Sequence, residues 1–177
     1  MPGLPCPACW TVVYLCEHTE RGALGLVINK PIDIKLKNLF EKVELSLDRE
    51  ELAEQPVFYG GPVQTERGFV LHEKREATPT SPLQLDAVHP RRAGDDHQQG
   101  RARGAGHGAG PRRVLVTLGY SGWAAGQLED ELSRNGWLTV DADPAIIFDT
   151  PIELRYDRAL SLLGFDPRML SQEAGHA

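Results

Sequence analysis

A chain of 177 residues can bury its own core without disulfides or metals, and it fits one domain spanning 1–177. Its 25 acidic residues against 19 basic ones leave a net charge of −6, which argues against a wide nucleic-acid surface, because such a surface displaces counterions with a basic face. No apolar run approaches the ~20 residues that span a bilayer, and Met1-Pro2-Gly3 opens no signal peptide, so a cytoplasmic chain is expected. Three cysteines make no disulfide framework. Cys6-Pro7-Ala8-Cys9 lacks a second ligand pair for zinc, and it lies in a Pro-rich start rather than where a strand enters a helix. No metal and no other cofactor is expected.

Thr11–Cys16 is β-branched and aromatic and predicts a strand. The polar turn 17–22 and the apolar run Ala23–Ile28 complete a hairpin, which Pro31 stops. Both runs are nearly continuous in apolar residues, as in strands buried on both faces. Leu36, Leu39, Phe40 and Val43 repeat at helical spacing, and Asp48 is placed to cap a second helix with Glu50 and Glu51 in its first turn. Val57–Tyr59 predicts a short strand ended by Gly60-Gly61-Pro62, and Gly68–His72 predicts another. Val114–Leu118 predicts a buried strand running through Gly119-Tyr120-Ser121-Gly122-Trp123 into a helix. That helix carries Leu128 and Leu132 inward and Glu129, Asp130 and Glu131 outward, and Asn135-Gly136 caps it. Trp137–Val140 predicts a further strand. A last helix after Asp149-Thr150-Pro151 packs Leu154, Ala159, Leu162 and Leu163 and stops at Gly164. Strands and helices mingle without regular alternation, which predicts a mixed α/β sandwich rather than a doubly wound sheet.

Residues 74–110 break this pattern. The block 89–110 is rich in Gly, Arg and His and nearly devoid of apolar residues, so as written it is a basic, solvated loop. Read one base out of register with GC-rich codons, His89 onward becomes Ile-Pro-Gly-Gly-Leu-Glu-Met-Thr-Thr-Ser-Lys-Asp-Val-Leu-Glu-Ala. That string has an N-capping Ser and an apolar helical start. Two compensating frame changes are therefore expected, one between Lys74 and Val88 and one near His107–Gly110, with 78–82 already affected.

Several residues are placed for chemistry. Cys16 follows a strand and precedes Glu17-His18, so a thiol beside an imidazole could act as a nucleophile, although the acidic neighbour works against it. His18 and His72 both end strands beside a glutamate and could join in a polar cluster. Gly119, Tyr120, Ser121 and Trp123 lie where a strand would meet a helix, and backbone N–H groups there could hold an anion. The spacing is neither a P-loop nor a nucleophile elbow, because Trp123 stands where the second glycine of the elbow belongs. Gln127 and Glu131 are helix neighbours four apart, and Glu129 shares their acidic surface. Asn29, Gly60 and Gly61 could line a groove where strand ends meet.

The blocks TVVYLCEH (11–18), GALGLVINKP (22–31), FYGGPVQTERGFVLH (58–72), LGYSGWAAGQLEDEL (118–132) and FDTP (148–151) resemble the AlgH/YqgE family of small bacterial proteins, over roughly 11–73 and 111–170. The resemblance implies an α/β fold with a mixed sheet, a bacterial cytosolic setting and no established enzymatic activity. The family takes its name from a member proposed to regulate alginate gene expression. Met1-Pro2 begins where the family has completed a strand, so that first strand is expected to be missing, and Pro5–Trp10 lacks the family's Asp-Pro-x-Phe-like stretch. The expected function is that of a non-enzymatic binding or regulatory factor, acting through an unknown protein partner or small-molecule ligand rather than by direct nucleic-acid binding. The alternative is a thiol-based enzyme or redox sensor using Cys16 with His18.

Overall fold

The eleven-residue strand Val114–Ala124 organises the chain, as the computed structural model shows for residues 10–42, 49–78, 81–88 and 113–164. Chain order is β1 (Val13–Thr19), β2 (Gly22–Val27), β3 (Pro31–Lys35), α1 (Leu36–Lys42), α2 (Glu50–Ala53), β4 (Pro56–Tyr59), β5 (Val63–Thr78), β6 (Ser81–Val88), β7 (Val114–Ala124) and α3 (Gln127–Ser133). A π-helix (Ala145–Asp149), a 3-10 turn (Ile152–Leu154) and α4 (Arg155–Ser161) follow. The strands form one seven-stranded mixed sheet, with β1-β2-β7-β4-β3 along one path and β5 joining β7 to β6. Strand β7 runs parallel to β4 and antiparallel to β2 and β5. The expected mixed α/β architecture is therefore the observed one.

Period-two alternation splits the core between the two sheet faces. Val57, Val70, Val114 and Val116 pack on one face against Leu36, Leu39 and Phe40 of α1 and Leu52 of α2. Phe58, Phe69, Leu71 and Leu115 pack on the other with Leu26, Ile28 and Ile147 of the π-helix. Strands β5 and β7 are thus covered on both sides, which explains their unbroken apolar runs.

Gly119 resets this alternation. Before it, even-numbered β7 residues face α1, with Leu118 packed against that core. After it, Tyr120 packs in the opposite core, its ring edge-on to Phe69 at 5.5 Å between centroids. The residue has φ +72°, a left-handed conformation that glycine adopts without a Cβ penalty. A Cβ there would stand 2.5 Å from the Gly61 carbonyl oxygen, and one on Gly60 would stand 2.2 Å from the Gly119 carbonyl oxygen. The ends of β2 and β4 also meet here, with the Val27 N–H donating to the Gly60 carbonyl at 2.9 Å.

The C-terminal elements are held by Arg155. Its side chain is buried and donates from Nη1 to the Ile28 carbonyl and from Nε to the Thr150 carbonyl at 3.2 Å. The guanidinium carbon lies 5.1 Å from the centre of the Phe58 ring. Helix α3 ends as its sequence predicts. Asn135 has φ +57° and donates to Leu132, while Gly136 donates to Glu131 at 2.8 Å, the paired bonds of a Schellman motif.

Other expectations are corrected. Strand β1 is an edge strand with largely exposed residues, not one buried on both faces, because only β2 pairs with it. Pro31 begins β3 rather than merely ending a hairpin. Arg49 occupies the N-cap of α2 without a side-chain cap bond, and Asp48 lies outside the described residues. The Gly119–Trp123 stretch is strand, so β7 does not enter a helix there. Trp137–Val140 forms no strand, and Leu138 and Val140 are exposed. In α4 the buried residues are Arg155 and Leu160, whereas Leu154 and Leu162 face solvent. Strands β5 and β6 run through 74–78 and 81–88 as a hairpin whose register shifts between Glu73 and Thr78, with Leu83 buried in the second core. The block 89–110, on which the frame expectation falls, lies outside the described residues. Among those described, no helix is long and apolar enough to cross a membrane.

Two glycines with nearly equal φ separate conformational strain from crowding. Gly126 has φ +75° and open space where a Cβ would go. Gly126→Ala should cost about 1 kcal/mol through the left-handed backbone alone. Gly119→Ala should cost about 3 kcal/mol or more, because overpacking adds to that strain. Urea unfolding of both variants measures the difference.

Candidate functional site

Directly paired residues share a sheet face, and this divides the end of the sheet formed by β1, β2 and β7 into two surfaces. Glu17, Leu24 and Gly122 pair in one row, and Thr19, Gly22 and Ala124 in the next but one. Between them, His18, Ala23 and Trp123 form a row that faces the opposite way. The first surface is open. It holds a groove of about 430 Å³ lined by Glu17, Thr19, Arg21, Gly22, Ala23, Leu24, Val63, Tyr120, Gly122 and Trp123. Its floor is bare backbone at Gly22 and Gly122, which contribute no side chains. Glu17 and Arg21 make no ion pair among the described residues, leaving one charge of each sign at the groove.

Helix α3 covers the other surface. His18 Nε2 lies 2.5 Å from Glu129 Oε1, and this bond holds the Glu129 carboxyl below its ordinary range. Glu131 Oε2 accepts from Trp137 Nε1 at 2.6 Å and from Trp123 Nε1 at 3.0 Å, while its Oε1 accepts from Gln127 Nε2 at 3.0 Å. Gln127 Oε1 in turn accepts from the Ala124 N–H at 3.0 Å. The two indole rings meet edge-to-face at 5.9 Å. These donors, Trp137 first and then Gln127 and Trp123, hold the Glu131 carboxyl below its ordinary range. Glu131 therefore faces inward rather than belonging to an outer acidic surface. The expected contact between Gln127 and Glu131 does form.

The sequence candidates separate into three places. His18, Gln127 and Glu129 are brought together at α3, while Tyr120 lines the groove and Trp123 borders it with its indole turned to Glu131. Asn29, Gly60, Gly61, Gly119 and Ser121 serve the backbone instead. Asn29 Oδ1 accepts from the Val12 N–H at 2.9 Å, and its Nδ2 donates to the Trp10 carbonyl at 2.8 Å. Ser121 Oγ donates to the Gly60 carbonyl at 3.2 Å. No anion cradle forms at 119–123, because the strand continues past it and its N–H groups pair in the sheet. His72 is far from His18, since their sheet partners Val114 and Trp123 are nine positions apart on β7, about 30 Å at strand rise. The expected cluster of the two histidines does not form. His72 Nδ1 donates to the Glu73 carbonyl at 2.9 Å, and Nε2 meets Asp86 Oδ2 at 2.9 Å. Among the described residues no three His, Cys, Asp or Glu side chains could hold a metal.

Cys16 sits at the bulge between Leu15 and Glu17, packs against the second core and donates to the Tyr14 carbonyl at 3.7 Å. Burial pushes its thiol up to about 12, partly offset by the Leu26 backbone bond. The imidazole of His18 is engaged by Glu129, so the nucleophile-and-base pairing expected of Cys16 is not assembled. Sequence reasoning missed Glu17, Arg21, Leu24, Val63 and Gly122, which only the strand register gathers, and Trp137, which its strand-like neighbours disguised.

Two outcomes follow from these protonation states. Alkylation of Cys16 by iodoacetamide should stay slow at pH 8 and accelerate only as pH climbs towards 12, whereas a rate levelling off near pH 7 would show an activated thiolate. Stability tied to this thiol is present below pH 9 and lost as pH rises towards 12. Glu131 has the opposite sign, since its folded value lies below the ordinary 4.5. Its clamp is intact above pH 4.5 and lost as pH falls below it. The indole N–H resonances of Trp123 and Trp137 should hold their positions down to pH 4.5 and move together below that, and Glu131→Ala should displace both at neutral pH.

The AlgH-like family model matches residues 9–168. A UPF0301 protein from Acidovorax sp. (strain JS42) is 60% identical over 171 residues, covering 94% of this chain and 86% of that one. One from Verminephrobacter eiseniae (strain EF01-2) is 60% identical over 183 residues, covering 100% and 92%. The solution structure of the AlgH protein from Pseudomonas aeruginosa, UPF0301, aligns over 100% of this chain and 92% of that one, with a TM-score of 0.68 and 41% identity. The crystal structure of DIP2367 from Corynebacterium diphtheriae shares the fold at 16% identity and a TM-score of 0.58, over 84% and 76% of the two chains. The chain belongs to the AlgH-like family.

Proposed function

We propose that this chain is a cytoplasmic, non-enzymatic binding factor of a single domain, which holds a small ligand or a short partner segment in the groove over Leu24, Tyr120 and Gly122. Occupancy of that groove would serve regulation, gene expression included, through a partner rather than through direct contact with nucleic acid. The observation that carries the reading is the bare sheet surface itself. Leu24, Val63 and Tyr120 offer apolar contact, two glycines leave room above the strands, and Glu17 and Arg21 can orient a polar ligand. The net charge of −6 favours such a ligand or a protein over a polyanion. Thiol chemistry at Cys16 is the weaker reading, since the buried thiol is protonated at neutral pH.

Gly122 provides the test. A Cβ on it would meet only side-chain atoms, Tyr120 Cε2 at 3.3 Å being the nearest, so Gly122→Val should fold while filling the floor of the groove. Aromatic acid and amine fragments, read by backbone amide shifts, should perturb Gly22, Leu24 and Gly122 in the parent chain. Their affinity should fall at least about tenfold in Gly122→Val, a loss of about 1.4 kcal/mol. Shifts scattered away from these residues, or equal binding by the variant, would remove the groove as the functional site.

A further inference from the structure

Buried arginines are ordinarily paired with an anion, and Arg155 has none among the described residues. It is 5% exposed, and its polar contacts are two neutral carbonyls, those of Ile28 and Thr150. The face of its guanidinium is occupied by Phe58. Among the described residues no carboxylate joins it, and its polar partners are those two carbonyls alone. Carbonyl dipoles and a ring quadrupole offset part of the cost of removing a guanidinium from water, but neither supplies a full negative charge. Burial accordingly draws its pKa down to about 10, with no neighbouring charge acting to restore it. Of the three guanidinium nitrogens, Nε and Nη1 are committed. Nη2 has no acceptor among the described residues, yet it is not sealed from solvent, since none of their buried polar side-chain atoms lacks a partner.

We propose that Arg155 is the cationic centre of a small oxyanion site, at which one oxygen of a phosphate or carboxylate group accepts a hydrogen bond from Nη2. The site is distinct from the groove on β1, β2 and β7. The bonds from Nε and Nη1 fix the plane of the fork before any ligand arrives, so the remaining donor is held in place with little rotamer freedom to lose on binding. An anion there supplies the missing charge and strengthens the joint between α4 and the end of β2. Ligand binding would thereby be coupled to the seating of the C-terminal elements.

The test follows the arginine Nε–H resonances of the intact chain during titration with sodium phosphate and, separately, sodium acetate. Sodium chloride at matched ionic strength is the control. The Arg155 signal is assigned by its absence in Arg155→Lys. A saturable shift of that signal, with a melting temperature that rises with the same anion in the parent chain and less in Arg155→Lys, supports the site. A response to phosphate alone identifies phosphate groups as the ligand, to acetate alone carboxylates, and to both the shared oxyanion chemistry. A signal that moves no further with either anion than with chloride overturns the proposal. So does an equal rise in melting temperature in Arg155→Lys. If Arg155→Lys fails to fold, the parent chain's resonance titration still decides, with the signal assigned by sequential labelling.

Discussion

The fold depends on one close crossing, where the backbone of β7 at Gly119 passes the backbone that leaves β4 at Gly60 and Gly61. Ordinary strands alternate their side chains without interruption, so β7 as a regular strand would turn Tyr120 towards α1 and Trp123 away from α3. The left-handed residue at 119 reverses that order. Tyr120 then reaches Phe69, and Trp123 turns to the side where Glu131 waits. The reversal requires a residue without a side chain. So does the approach of the neighbouring backbone, in which Gly60 accepts from both Val27 N–H and Ser121 Oγ. Local backbone chemistry thus decides which residues see which face over the remaining five positions of the strand.

That decision also partitions the polar residues. On the α3 side, Glu131 gathers two indole donors and an amide, so its charge is used internally to fix the helix against the sheet. Charge-assisted bonds of this kind are stronger than neutral ones, and they anchor Trp137, which belongs to no strand. On the groove side, Glu17 and Arg21 are left without such partners. One face of the same strands is therefore a closed structural network, and the other presents charge and apolar surface to solvent.

How far the sequence foretold this varies with the range of the interaction involved. Helix α1 and the end of α3 were legible because their signals are local: Leu36, Leu39 and Phe40 at helical spacing, and Asn135-Gly136 as a left-handed cap. Strand β6 was not, since Ser81–Val88 carries a proline and polar residues and becomes a strand through pairing with β5. The glycines of 119–122 suggest a turn into a helix, because glycine in a sequence does not distinguish a turn from a bulge in a continuing strand. Trp137–Val140 erred the other way. Its aromatic and β-branched residues suit a strand, but Trp137 is committed to Glu131 instead. Of the candidate site, the His18, Glu129 and Gln127 grouping needed the registry of three strands to assemble, and Gly122 lies about a hundred residues along the chain from Glu17 and Arg21. Cys16 was visible as a thiol, but its burial was not, because a bulge in an edge strand turns it inward.

The second core explains why the groove exists where it does. Leu24 and Leu26 are two apart on β2 and share a face, yet Leu26 is fully buried and Leu24 lines the open surface. The difference is the cover. Ile147, Phe148 and Ile152 lie over the end of the face near Leu26, and nothing described lies over the end near Leu24. The cover is fixed by Arg155, whose bonds to Ile28 and Thr150 set how far along β2 these elements can sit. A helix seated farther along would bury Leu24 and Tyr120 and gain apolar area, roughly 25 cal/mol for each Å² removed from water. It would forfeit two charge-assisted bonds from a buried guanidinium, each worth about 1.5–3 kcal/mol, and leave that charge without partners. Losing them outweighs completing the burial of Leu24 and Tyr120, both already half-buried. A buried cation at one end of the face thus keeps the other end open.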